Sequence, residues 1–117
     1  MSLFTYKNLI VWQKSIELVF QVYELTNKFP KEEQYGLAIQ MKRAAVSIPS
    51  NIAEGRLRGH KKEYKQFLLM AYGSGGELET QIEISRRLFK SLDYSKIASL
   101  LEEVMKMLNK MISFTKI

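Results

Sequence analysis

The sequence contains no cysteine. Disulfides, thiol chemistry and zinc sites built on thiolates are therefore excluded, and a reducing cytoplasm suits the chain. Histidine is nearly absent too, with His60 alone. A di-iron bundle of the carboxylate type needs two Glu-x-x-His motifs, and this sequence holds none. His60 lies in a basic stretch with no visible partner for acid–base work. The sequence also lacks a Walker A motif and a Gly-x-Gly-x-x-Gly run. Its Gly73-Ser74-Gly75-Gly76 stretch is not followed by the Lys-Ser/Thr of a phosphate loop. These absences predict no catalytic residue, no metal site and no cofactor. Long apolar runs are missing as well. The most apolar stretch, Ile16–Leu25, is interrupted by Glu17, Gln21 and Glu24. It is far shorter than the roughly 20 residues of a membrane span. Met1–Tyr6 has no basic segment followed by an apolar one, so no secretory leader is expected. A cytoplasmic protein with no membrane partner is the expectation.

Proline and glycine are scarce, at two and six of 117 residues, which favours long helices over many short strands. A chain of this length makes one domain, here 1–117, and can bury about two-thirds of its unfolded surface. Apolar residues then recur at spacings of three and four in four stretches. Leu9, Trp12, Ile16, Val19, Tyr23 and Thr26 form the first seam, behind Asn8 as N-cap. Val11, Leu18, Phe20, Val22 and Leu25 make this helix apolar beyond its seam, which hints at a second contact surface. Pro30 stops it near Lys28. The second helix starts within Lys31–Gly36, runs to about Gly55, and uses Leu37, Met41, Ala44, Ile48 and Ile52. Pro49 inside it removes the hydrogen bond to the Ala45 carbonyl and predicts a kink or split.

The third helix begins near Lys61, reaches Phe89 or Lys90, and carries Tyr64, Phe67, Ala71, Gly75, Leu78, Ile82 and Ser85. Its glycine-rich middle is poor in helix propensity and open to a break. A continuous helix is the preferred reading, with the small residues admitting another backbone. The fourth helix is capped by Asp93 or Ser95, runs to about Phe114, and presents Ile97, Leu101, Val104, Leu108 and Met111. Short joints between long helices predict an all-α, antiparallel up-down-up-down four-helix bundle.

Charge is unevenly placed. The net charge is +6, and the ten residues 56–65 alone contribute +4 through Arg56, Arg58, Lys61, Lys62 and Lys65 against Glu63. Two readings stand side by side: a solvated turn, or a phosphate-binding patch with Tyr64 as a stacking partner. Arg86, Arg87 and Lys90 form a smaller patch that suits the negative end of the third helix. A polar stripe on the second helix, Gln40, Arg43, Ser47, Asn51 and Glu54, shares one face. Ser74, Glu77 and Gln81 share a face of the third. The preferred reading is a network that fixes helix register or subunit contacts, with Arg43 paired to Glu54 or Glu77. A ligand pocket is the alternative. Met105, Met107 and Met111 on the fourth helix are either ordinary core or an adaptable partner face.

Trp12, Phe29-Pro30, Tyr35-Gly36-Leu37, Gln40 to Ala45, Ser47-Ile-Pro-Ser-Asn-Ile-Ala-Glu-Gly55, Gly73-Ser74 and Glu77-Leu-Glu-Thr80 occur in this order. In this order and spacing, over nearly the whole chain, the sequence resembles the bacterial family named for proteins encoded in intervening sequences of 23S rRNA. Gly75-Gly76 departs from the pattern, where bulkier residues are expected. The resemblance implies an antiparallel bundle that assembles as a homopentamer, with no enzymatic activity. The family is similar to the basic pentameric accessory protein of diversity-generating retroelements, which binds nucleic acid and a reverse transcriptase. Its implied partners are therefore further copies of the chain, RNA, and a protein effector of reverse-transcriptase type. A structural or protein-interaction module with no nucleic-acid role is the alternative.

Overall fold

The structure is a computed structural model that describes residues 5–115. Residues 1–4, on which part of the leader expectation falls, and 116–117 lie outside that range. Four α-helices make up the described chain: α1 (Ile10–Thr26), α2 (Leu37–Arg58), α3 (Lys61–Leu88) and α4 (Ser95–Phe114). Short 3-10 turns at Tyr6–Asn8 and Lys31–Glu33 precede α1 and α2. α1 packs on α2 and α4, and α3 packs on the same two helices, with α2 and α3 sharing the most extensive contact.

Local chemistry explains the boundaries. Asn8 does not cap α1. Its Oδ1 accepts from the Thr5 amide at 2.9 Å, closing the turn before the helix, and Leu9 takes the cap position without a side-chain bond. At the other end of α1, Gln34 Nε2 donates to the carbonyls of Thr26 at 3.0 Å and Phe29 at 3.2 Å. This satisfies groups a helix C-terminus leaves unpaired. α2 begins later than the sequence suggests, at Leu37, whose amide reaches Glu33 Oε1 at 3.4 Å. It then runs past Gly55 and does not end at Pro49, which is buried within it. Gly59 ends α2 with φ of 76°, the left-handed geometry that favours glycine.

α3 is continuous through Gly73–Gly76. Of these glycines only Gly75 is tightly packed, and its neighbour is the Met105 side chain of α4, not a backbone. A methyl group at Gly73 or Gly76 would meet nothing within 4 Å. The close approach of two helices occurs instead at Gly55, where an added Cβ would lie 2.6 Å from Phe67 Cβ and 3.1 Å from Tyr64 Cδ1. The α3–α4 joint is fixed by Tyr94, whose buried hydroxyl donates or accepts at Ser85 Oγ (2.8 Å) and reaches the Ser85 (3.0 Å) and Phe89 (2.9 Å) carbonyls. Asp93 Oδ1 accepts from the Ser95 amide at 2.9 Å and hydroxyl at 2.7 Å, starting α4.

The core comprises Val11, Leu18, Val22 and Leu25 of α1 with Met41, Ile48 and Ile52 of α2, Leu68, Leu78 and Ile82 of α3, and Ile97, Leu101, Val104 and Leu108 of α4. The seams of α2, α3 and α4 largely match the sequence spacing. On α1 the core lies on the other apolar line: Trp12, Ile16 and Val19 are only half-buried and Tyr23 is exposed. This helix is apolar nearly all round, so spacing alone does not choose its inner face. Phe20, 66% exposed, stands on its outer side, and Ile10 is 60% exposed.

Candidate nucleic-acid interface

The basic segment is the joint between α2 and α3. Gly59 and His60 connect the helices, so the last turn of α2 and the first turn of α3 project their cations from one end of the molecule. Lys61 and Lys62 are exposed, and Lys65 is half-buried. His60 is exposed at the N-cap of α3 and makes no capping bond.

The two arginines behave differently from the lysines. Arg58 is held by Glu54 at 2.8 Å and Glu63 at 3.2 Å, and its guanidinium lies over the Phe67 ring, 5.2 Å from the centroid. These bonds raise its pKa above the usual arginine value, Glu54 first and Glu63 second. An arginine shared by two carboxylates has little charge left for a phosphate. Arg56 lies over the Tyr64 ring at 5.8 Å. Burial pushes the Tyr64 phenol upward, and Arg56 opposes that shift. The expected stacking platform is thus half-buried and already covered on one side.

The polar stripe is brought together only in part. Ser47 and Ser74 share a hydrogen bond of 2.8 Å across α2 and α3. Asn51 Nδ2 donates to the Ser47 carbonyl at 2.8 Å and hydroxyl at 2.9 Å. Gln40, Arg43, Glu54 and Glu77 are exposed. The expected pairing of Arg43 with Glu54 or Glu77 does not form: Glu54 lies eleven residues along α2, roughly 16 Å away, and bonds Arg58. Gln81 is 7% exposed, and its Oε1 has no hydrogen-bond partner among the described residues. In the smaller patch, Arg86 and Arg87 both bond Glu83, at 3.4 and 2.9 Å, while Lys90 is exposed. Met105, Met107 and Met111 are half-buried against the core. Met107 and Met111 also line a shallow apolar groove of about 510 Å³ with Leu9, Ile10, Val11 and Phe114.

A larger groove, about 690 Å³, lies between the end of α1 and the outer face of α2. Tyr23, Tyr35, Ile39, Lys42, Arg43 and Val46 line most of it. Sequence spacing does not reveal this groove. It joins residues of α1, of the turn before α2 and of α2 itself, and only packing places them side by side. Among the described residues no three or more His, Asp or Glu side chains converge to hold a metal ion. No helix is long and apolar enough to cross a membrane.

Four packed helices and a basic joint define a small all-α bundle whose visible chemistry is surface charge. A family model described as 23S rRNA-intervening sequence protein matches residues 7–110, and the chain belongs to that family. Its fold is similar to a structure from Bacteroides thetaiotaomicron VPI-5482, described as a protein of unknown function from the S23 ribosomal protein family. The TM-score is 0.80 at 23% identity, covering 89% of this chain and 96% of the other. No curated protein matches the chain.

Proposed function

We propose that this chain is a non-enzymatic, cytoplasmic, homo-oligomeric bundle, a pentamer in its assembled form, that binds RNA through the joint of α2 and α3. The observation that carries the reading is the concentration of positive charge at that joint, with Lys61 and Lys62 exposed and outside any ion pair of the described residues. Phosphate neutralisation by such side chains releases counterions and needs no base-specific pocket. In the proposed fold the four helices alternate in direction. The two-residue joint Gly59-His60 is too short for a crossover, and the proposed α2 bends at Pro49, where the ring removes one helical hydrogen bond. Assembly is supported by large apolar side chains at the surface, Ile10, Phe20, Leu57 and Phe114 among them. A ring would repeat the basic joint and raise avidity without new contacts.

The test combines mass measurement in solution with salt-titrated binding to structured RNA. A pentameric mass and an affinity that falls steeply with salt are expected. The triple substitution Lys61→Glu, Lys62→Glu and Lys65→Glu abolishes binding while leaving the mass unchanged. A monomer, or binding that ignores salt, overturns the reading. A second reading, a module that docks a protein effector such as a reverse-transcriptase-like enzyme, is favoured by the apolar groove of Leu9, Met107, Met111 and Phe114. In that case a partner binds and RNA does not.

A further inference from the structure

The groove between α1 and α2 carries a chemistry distinct from the basic joint. Its walls present two tyrosines, Tyr23 at 42% and Tyr35 at 91% exposure. Tyr35, left this open, contributes little to the bundle's own packing. Ile39 and Val46 add apolar surface to the lining. Lys42 and Arg43 join the neutral polar Gln34 and Ser47 in the lining, and no carboxylate belongs to it. Lys42 Nζ sits 4.9 Å from the centroid of the Tyr23 ring. Neither Lys42 nor Arg43 takes part in an ion pair among the described residues. This contrasts with Arg58, which two glutamates neutralise. Charge outside any ion pair and one open aromatic ring, Tyr35, therefore meet here.

We infer that this groove is a second RNA site, which takes one unpaired nucleotide with its base against Tyr35 and its phosphate on Lys42 and Arg43. Base–aromatic stacking with cations at the backbone is the common mode for single strands. A nucleotide offers in one unit the flat apolar face and the negative charge that the groove complements. A second protein helix would instead bury two cations that no acid in the groove pairs, which is costly. The volume lies within the range of sites that enclose small ligands. The site is separate from the proposed one along α2, since its lining ends at Ser47 and the basic segment begins at Arg56. Those nine residues of helix extend for roughly 14 Å. The inference rests on the reading that the chain binds RNA, and adds single-strand capture to backbone attraction.

The test uses the full chain and an RNA hairpin carrying a single-stranded tail labelled with 5-iodouridine. Irradiation is expected to crosslink the tail to Tyr35, located by mass spectrometry of the digested adduct. Tyr35→Ala should weaken binding of the tailed hairpin between about five- and 150-fold, the range expected for one stacked base. It should leave the untailed hairpin unaffected, and Tyr35→Phe should retain binding because the ring remains. Lys42→Ala with Arg43→Ala should reduce the salt slope of the tailed RNA by roughly 0.7, the value for the one single-strand phosphate that the two cations share. These residues are exposed or half-buried, so folding survives the changes. If the wild-type chain binds no RNA, the proposed function and this inference fall together. If Lys61, Lys62 and Lys65 prove necessary while Tyr35→Ala and the Lys42/Arg43 variant bind like wild type, only this inference falls. A Tyr35→Ala chain with altered mass in solution and unchanged RNA affinity also overturns it, since the groove would then be a protein interface.

Discussion

Glycine to alanine changes in the two central helices should have opposite signs, because the same methyl group meets different surroundings. Alanine is favoured over glycine in a helix by about 1 kcal/mol. At Gly73 and Gly76 the methyl enters open space, so that gain is kept. At Gly55 it would lie 2.6 Å from Phe67 Cβ, an atom rooted on the α3 backbone that cannot swing away. Overpacking of this kind costs about 1–3 kcal/mol. The contact involves a fixed atom and the Tyr64 ring as well, so the upper part of that range applies. Net destabilisation of about 2 kcal/mol remains once the propensity gain of about 1 kcal/mol is subtracted. The unfolding entropy of a chain this size makes 1 kcal/mol worth about 4 °C. Gly55→Ala should therefore lower the midpoint by about 8 °C, and Gly73→Ala and Gly76→Ala should each raise it by about 4 °C. Thermal melts followed by circular dichroism, at one protein concentration because assembly shifts midpoints, read all three. Phe67→Gly removes that Cβ, so Gly55→Ala should cost less in a Phe67→Gly background than in wild type, and the double-mutant cycle measures the coupling. Equal melting of Gly55→Ala and wild type would refute the tight joint between α2 and α3. Gly75→Ala should fall between the two classes, since its methyl displaces only the flexible Met105 side chain.

Tyr94→Phe removes the hydroxyl that serves Ser85 and Phe89 inside the α3–α4 joint. A loss of about 1–3 kcal/mol follows from the buried groups left unpaired, measurable by denaturant unfolding. Glu54→Gln combined with Glu63→Gln releases Arg58 from its two partners. The chain should then bind structured RNA more tightly, with a salt slope steeper by about 0.9, read by fluorescence anisotropy. The Asp93 carboxyl is held below its ordinary value by the Ser95 hydroxyl and amide. A depressed carboxylate contributes stability above its unfolded pKa and loses it as pH falls through the folded one. The midpoint difference between wild type and Asp93→Ala should therefore be constant near neutrality and vanish in strong acid. A difference that persists there would show that the cap does not depend on ionisation.

The residues explain which features were legible before folding. α2, α3 and α4 alternate apolar and polar residues with one dominant stripe, so their inner faces follow from spacing. α1 has Leu9, Trp12, Ile16 and Val19 on one line and Val11, Leu18, Val22 and Leu25 on the next, and both satisfy the same period. Only contact with α2 and α4 selects the second. The glycine-rich middle of α3 illustrates the same limit. Propensity identifies it as weak, but which glycine is packed depends on where Met105 arrives. At the basic joint, composition locates the charge and cannot tell that Arg58 is spent on Glu54 and Glu63. The groove of Tyr23, Tyr35, Lys42 and Arg43 left no local signal, since its parts come from separate elements.

By itself the sequence determined four amphipathic stretches, the family to which they belong, and a cluster of cations at one short joint, because periodicity, motif order and charge are properties of neighbouring residues. Tertiary structure alone decided the inner face of α1, the close contact at Gly55, which cations carry a partner and where an open aromatic ring meets charge outside any ion pair. Those are relations between helices, set by distances across the bundle that no local pattern records.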